Sequence, residues 1–139
     1  MPAATPDPMK PELIHHVDCE VADFERSRNF YGAALAPLGL GLVLELEREG
    51  GRRLAGFGVA PDPVFWIRAG AGAPNRVHVA FRAATRAAVD AFYAAALEAG
   101  GRDNGAPGLR PRYGDYYYAA YVRDPDGHNI EAVCREGSG

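Results

Sequence analysis

Two stretches of the chain alternate polar and apolar residues with period two. In the first, His16, Asp18 and Glu20 interleave with Val17, Cys19 and Val21; in the second, Arg76, His78, Ala80 and Arg82 interleave with Val77, Val79 and Phe81. Such alternation predicts half-buried strands, each with an apolar face that needs a cover and a polar face left open. A helical pattern follows each strand. Asp23 and Thr85 stand where N-caps belong. Phe30, Tyr31, Ala34 and Leu35 carry the apolar stripe of the first helix, and Val89, Phe92, Tyr93, Ala96 and Leu97 that of the second. Pro37 stops the first helix, and Gly100 supplies the C′ position of the second. Three strands are then predicted at 40–47, 52–59 and 64–68, with Glu49-Gly50-Gly51 as the hairpin turn. Behind the second helix come a Gly/Pro-rich stretch at 103–108 and an aromatic strand over 115–123. Asp124-Pro125-Asp126-Gly127 forms a tight turn, and a strand over 129–134 closes the domain.

The two halves match in detail. His16-Val17 is followed by Phe30-Tyr31 and Leu35, and His78-Val79 by Phe92-Tyr93 and Leu97, at the same offsets after a shift of 62 residues. Five positions in register point to a duplicated module. The fold class is therefore α+β, a βαβββ module used twice, with module one at about 13–70 and module two at about 75–135. Residues 1–12 hold four prolines and no periodicity, which predicts a disordered leader, and 136–139 form a flexible tail.

Composition narrows the function. A chain of 139 residues, 47% hydrophobic and 24% charged, suits one packed domain made of two half-length copies. Modules this small favour pairing, and a homodimer is expected. Two cysteines cannot staple a disulfide scaffold; Cys19 and Cys134 fall on the helix-facing sides of their strands, as buried thiols would. No apolar run is long enough for a membrane span, and no signal core opens the chain, so a cytoplasmic protein is expected. A net charge of −3 argues against holding nucleic acid by its phosphates. One bias stands out: of 15 cations only Lys10 is lysine, which reads first as coding bias and only second as a hint of anion-binding chemistry.

The polar strand faces carry the candidate chemistry. His16 and His78 occupy matching positions, and on the last strand Glu131 alternates away from Ile130, Ala132 and Cys134. If the inner faces of the modules meet, two imidazoles and one carboxylate converge as ligands for a divalent metal (Fe, Mn, Ni, Co or Zn) with open positions. Asp18 shares the His16 face and is a candidate general base or supporting carboxylate. The run from Gly108 to Tyr118 joins Arg110, Arg112 and Tyr113 to further tyrosines beside glycines, which suits a loop gripping an anionic or aromatic substrate. Tyr117 and Tyr121 alternate with Tyr116 and Tyr118, so one set or the other faces the cavity. Trp66 is a candidate cavity wall. His128 follows a turn and reads as a turn residue.

The segments HHVDCEVADFERSRNFY (15–31), HVAFRAATRAAVDAFY (78–93) and DPDGHNIEAV (124–133) resemble the signature segments of the vicinal oxygen chelate superfamily. That superfamily includes glyoxalase I, fosfomycin-resistance and bleomycin-resistance proteins and extradiol dioxygenases. The resemblance covers about 13–135. It implies a U-shaped, partly open mixed eight-stranded sheet with the helices outside, around a metal, usually in a homodimer. It places His16, His78 and Glu131 on the family's ligand positions. His15 falls one place off and, by alternation, points to the helix side. Glyoxalase I has a further carboxylate on the last strand of module one, where this chain has Trp66 or Ile67. The resemblance therefore favours a three-ligand lyase, transferase or dioxygenase over glyoxalase I isomerisation. Its metal-free alternative is a protein of the bleomycin-resistance type that sequesters a small molecule; a sensor or accessory domain is a third.

Overall fold

Asp23, two residues past the first strand, starts the first helix. Its backbone is extended (φ −122°, ψ 97°) and its side chain accepts from the Arg26 N–H at 3.1 Å. Thr85 caps the second helix in the same way, accepting from Ala88 N–H at 3.0 Å. Caps of this kind contribute about 1 kcal/mol each. The computed structural model describes residues 14–72 and 76–137; the expected leader at 1–12 and the end of the tail at 138–139 lie outside the described residues.

The elements run β1 (Val17–Val21), α1 (Phe24–Leu35), β2 (Gly41–Arg48), β3 (Arg52–Val59), β4 (Asp62–Ala69), β5 (His78–Arg82), α2 (Arg86–Glu98), β6 (Arg102–Leu109), β7 (Tyr118–Arg123) and β8 (Asn129–Cys134). The strands divide into two four-stranded sheets of identical plan, β1-β4-β3-β2 and β5-β8-β7-β6. In each, the strand before the helix pairs in parallel with the last strand of its module, and the remaining pairs are antiparallel. This is the expected α+β duplication of βαβββ. Among the described residues no helix is long and apolar enough to cross a membrane.

The period-two alternation sends one side of each sheet into the core. Val21, Ala55, Phe57, Phe65 and Ile67 bury against Phe30, Tyr31 and Leu35 of α1, while Val122, Ile130 and Ala132 bury with Val89, Phe92 and Ala96 of α2. Aromatic rings carry this core from one module to the other: Tyr31 lies 4.8 Å from Phe65, and Phe65 lies 5.3 Å from Phe81 on β5. The helices also touch each other. Cys19 and Cys134 are buried and unpaired, and burial, with Asp124 next in importance, pushes the Cys19 thiol up to about 11.

A turn of module two latches the start of α1. Asp126 accepts the Ala22 N–H at 2.9 Å and the Ser27 hydroxyl at 3.3 Å. The buried Asp124 accepts the Tyr31 hydroxyl at 2.5 Å and, inside its own turn, the N–H groups of Asp126 and His128. His128 is indeed a turn residue, but it is a buried one whose Nδ1 accepts from Val77 N–H at 3.0 Å.

Two expectations need correction in module two. The Gly/Pro-rich stretch is itself a strand, β6, with register shifts on either side of Gly105. Pro107 is tolerated because β6 is the outer strand of its sheet. The aromatic strand begins at Tyr118 rather than at 115. Before it the chain closes on itself, with Tyr117 N–H donating to Gly114 O and Arg110 N–H to Tyr117 O.

Candidate metal and substrate site

Glu131 is the deepest acid on the inner face. Its neighbours Ile130, Ala132 and Cys134 point into the core, whereas Glu131 faces the other side of the sheet and is still only 1% exposed. A carboxylate so placed must have its oxygens satisfied. His78 Nε2 lies 2.8 Å from Oε1, and the Tyr117 hydroxyl donates to Oε2. The parallel pairing of β5 with β8 sets this up, placing Ala80 opposite Glu131 and His78 opposite Asn129. The His78 side chain is 52% exposed, so the pair presents a buried carboxylate behind an accessible imidazole. Burial, then the hydrogen bond and charge of Glu131, raise the Tyr117 phenol well above its ordinary range. It stays a proton donor at any physiological pH.

Tyr121 settles which tyrosines face inward. Its ring centroid lies 6.2 Å from that of His78, and its phenol is raised by burial and by Glu131. Tyr113 packs 5.3 Å from Tyr117. Tyr118 takes the opposite face, donating to Asp90 of α2 at 2.6 Å. The resulting open cleft of about 610 Å³ is lined by His78, Glu131, Tyr113, Tyr117, Tyr121, Arg110 and Arg112, together with Asn104, Gly105 and Asn129. Arg110, just past β6, is held by that strand, donating to Ala106 O at 2.6 Å while its guanidinium lies over Tyr121. Arg112 lies over Tyr113. Asn104 and Asn129, hydrogen-bonded at 3.1 Å, were not singled out from the sequence. Asn129 shares the parity of Glu131, and that signal would have found it.

His16, Asp18 and Trp66 line a different cleft, of about 480 Å³, on module one. Within one chain His16 therefore does not join His78 and Glu131, and among the described residues no three His, Cys, Asp or Glu side chains stand close enough to hold a metal. The cause is the division into two sheets, each with its own inner face. Asp18 is tied to Arg68 across the β1–β4 pair, with Arg68 Nε 2.7 Å from its carboxylate. His15 is a second correction. β1 begins only at Val17, so alternation does not extend back to His15, which is exposed, lines the same cleft and sits 2.9 Å from His16 between their Nδ1 atoms.

The register explains the missing carboxylate. Asp18 pairs with Trp66 on β4, and Ala80 pairs with Glu131 on β8. The repeat superposes Asp18 on Ala80, so Trp66 occupies in module one the place of Glu131 in module two. Ile67 is buried in the core and is not a contender. Trp66 lies against β3 opposite Gly56, where a Cβ would fall 3.0 Å from the indole and 2.8 Å from Pro63.

The sequence matches the Glyoxalase/Bleomycin resistance protein/Dioxygenase superfamily over residues 13–132. Among solved structures, a glyoxalase/bleomycin resistance protein from Albidiferax ferrireducens T118 is 32% identical, with 90% of this chain and 100% of that one covered and a TM-score of 0.69. A glyoxalase I mutant from Zea mays is 24% identical with a TM-score of 0.70; 90% of this chain aligns, spanning 47% of the maize chain. TnmS3, an antibiotic binding protein from Streptomyces sp. CB03234, shares the fold at 19% identity, covering 91% of this chain and 98% of its own, with a TM-score of 0.62. No curated protein matches by sequence.

Proposed function

The chain belongs to the Glyoxalase/Bleomycin resistance protein/Dioxygenase superfamily, and from that premise we propose a metal-assisted enzyme acting on a small substrate with adjacent oxygen atoms. The observation that carries this reading is the buried Glu131 paired with the accessible His78 Nε2 at 2.8 Å. A nitrogen and an oxygen donor held together on an open face fit a divalent cation in kind. His16, at the equivalent place of module one, is the third donor in this reading; because it lines a separate cleft within one chain, the reading takes it from the partner subunit of a homodimer. A bound cation would supply Lewis acidity, stabilising charge that develops on a chelated oxygen. The Tyr117 hydroxyl fixes the Glu131 carboxylate in orientation and remains a donor beside it. Arg112 and the rings of Tyr113 and Tyr121 hold an anionic or aromatic substrate against that pair. With Trp66 in place of the second carboxylate, module one lacks the base on which glyoxalase I isomerisation depends, and the chemistry is of lyase, transferase or dioxygenase type.

A second reading, metal-free sequestering of a small aromatic molecule, draws on Trp66 and the tyrosine wall. One experiment separates the two. After reconstitution with Fe(II), Mn(II), Ni(II), Co(II) or Zn(II), the native protein should retain roughly stoichiometric metal, and His78→Ala or Glu131→Gln should weaken its binding by more than the roughly 10-fold to 100-fold that loss of a ligand's supporting partner costs. Retention of no metal, or of equal metal by the variants, overturns the metal reading.

A further inference from the structure

The second sheet also carries an unusual concentration of charge. Arg102 of β6 and Arg123 of β7 are direct cross-strand partners, an arrangement that like charges disfavour. Arg76, just before β5, reaches the same place, and the three side chains line one cleft of about 210 Å³ with Gly127. Among the described residues none of the three forms an ion pair, although the chain as a whole is acidic. The acids nearby are turned elsewhere. Asp103 accepts from the Tyr93 hydroxyl and Gly105 N–H, Asp124 from Tyr31, and Asp126 from Ala22 and Ser27.

The cluster is held in place as well as charged. Arg123 Nη1 donates to Gly127 O at 3.2 Å. Gly127 has φ +88°, and a Cβ there would fall 2.5 Å from Arg76 Nε, so the Arg76 side chain occupies space against the turn that any other residue would fill. Three arginine side chains that line one cleft, with no ion-pair partner among the described residues, make a candidate site for an anion. We propose that this cleft binds a phosphoryl-type dianion, the phosphate or phosphonate group of a small molecule. A carboxylate is satisfied by one bidentate arginine, whereas three planar forks offer donors on several sides, matching three terminal oxygens and a double charge.

The register gives the site its use. Arg102, Arg123, Asn129 and His78 stand on one rung across β6, β7, β8 and β5, so Arg123 is two strands from His78, about 10 Å along the backbone spacing. A substrate anchored by its phosphoryl group would present its other end to His78 and Glu131. That last step rests on the function proposed above; phosphate binding does not.

The test is inorganic phosphate against acetate at matched ionic strength, in chelator-treated buffer, read by calorimetry and thermal unfolding. The native chain should bind phosphate saturably, more tightly than acetate, and gain in Tm. Arg102→Ala should lose at least about tenfold in phosphate affinity and, without phosphate, unfold no lower than the native chain, because a like-charge pair is removed. Arg76→Ala, which lies outside any strand, serves as second variant and should also lose affinity. No saturable phosphate binding, equal binding of acetate, or undiminished binding in both variants overturns the proposal. Since no metal is present, that failure would leave the metal reading standing, and failure of the native chain to retain metal would leave phosphate binding standing.

Discussion

Four phenols among the described residues donate to carboxylates, and for two of them, Tyr31 and Tyr117, burial adds to the pairing and fixes their response to pH. Tyr31 is fully buried and donates to Asp124, and Tyr117 donates to Glu131; burial first, then the carboxylate, raises both. The folded state holds these protons more tightly than the unfolded one. Their stabilisation is therefore complete below the ordinary phenol value of about 10 and is lost as pH climbs from there toward the folded values. Ultraviolet titration should show both ionising only as the protein unfolds. Tyr31→Phe should cost about 1–3 kcal/mol at neutral pH by urea denaturation, because a buried acceptor is left unmet, and should remove part of the alkaline loss. At this scale His78 and Glu131 were legible, since period two and the repeat mark one face. The destination of the Tyr117 hydroxyl was not, because strand parity says which face a side chain takes and nothing about which neighbour it meets.

Among the elements, β3 and β4 show how a strand fits a large ring. Trp66 is the sole tryptophan of the chain and lies across Gly56. Gly56→Ala should push the indole away, shift its fluorescence maximum, and cost about 1–3 kcal/mol by overpacking, measured as a lower urea midpoint. An unchanged spectrum would mean that the ring is not seated there. The elements themselves were legible wherever a cap or a clear period marked them, as at Asp23, Thr85 and β8. Where glycine and proline crowd β6, local signals spell a loop, and only pairing with β7 makes a strand. His15 failed for a related reason: alternation holds inside a ladder, and His15 lies two residues before β1 begins.

For the molecule as a whole, the separation of the His16 cleft from the His78–Glu131 cleft makes the assembly decisive. If the proposed homodimer joins the module one face of one copy to the module two face of the other, two defective chains can repair each other. Mixing His16→Ala with Glu131→Gln chains should restore metal binding, since one of the two sites in the mixed dimer then draws all its donors from intact faces. Each variant alone should stay deficient. Failure to recover metal in the mixture, read by metal analysis after separation by size, would rule out ligands shared between copies. The sequence marks His16 and His78 as equivalent positions and Glu131 as sharing the His78 face, but not how the three are distributed, because a repeat reveals equivalent positions without revealing which copies meet.

The parallel pairs also set the order in which the chain can fold. Val17 must find Phe65, and His78 must find Asn129, across almost a whole module, whereas β2-β3-β4 and β6-β7-β8 close through neighbouring strands. Long loops close late, since their ends must meet before any contact rewards the lost entropy. β1 and β5 are thus the last strands to dock, each on the rim of its sheet, and they are the ones that bring His16 and His78 into place. Placement of those two imidazoles is therefore expected to close folding, and an ion that tied them down would act first as a brake on unfolding.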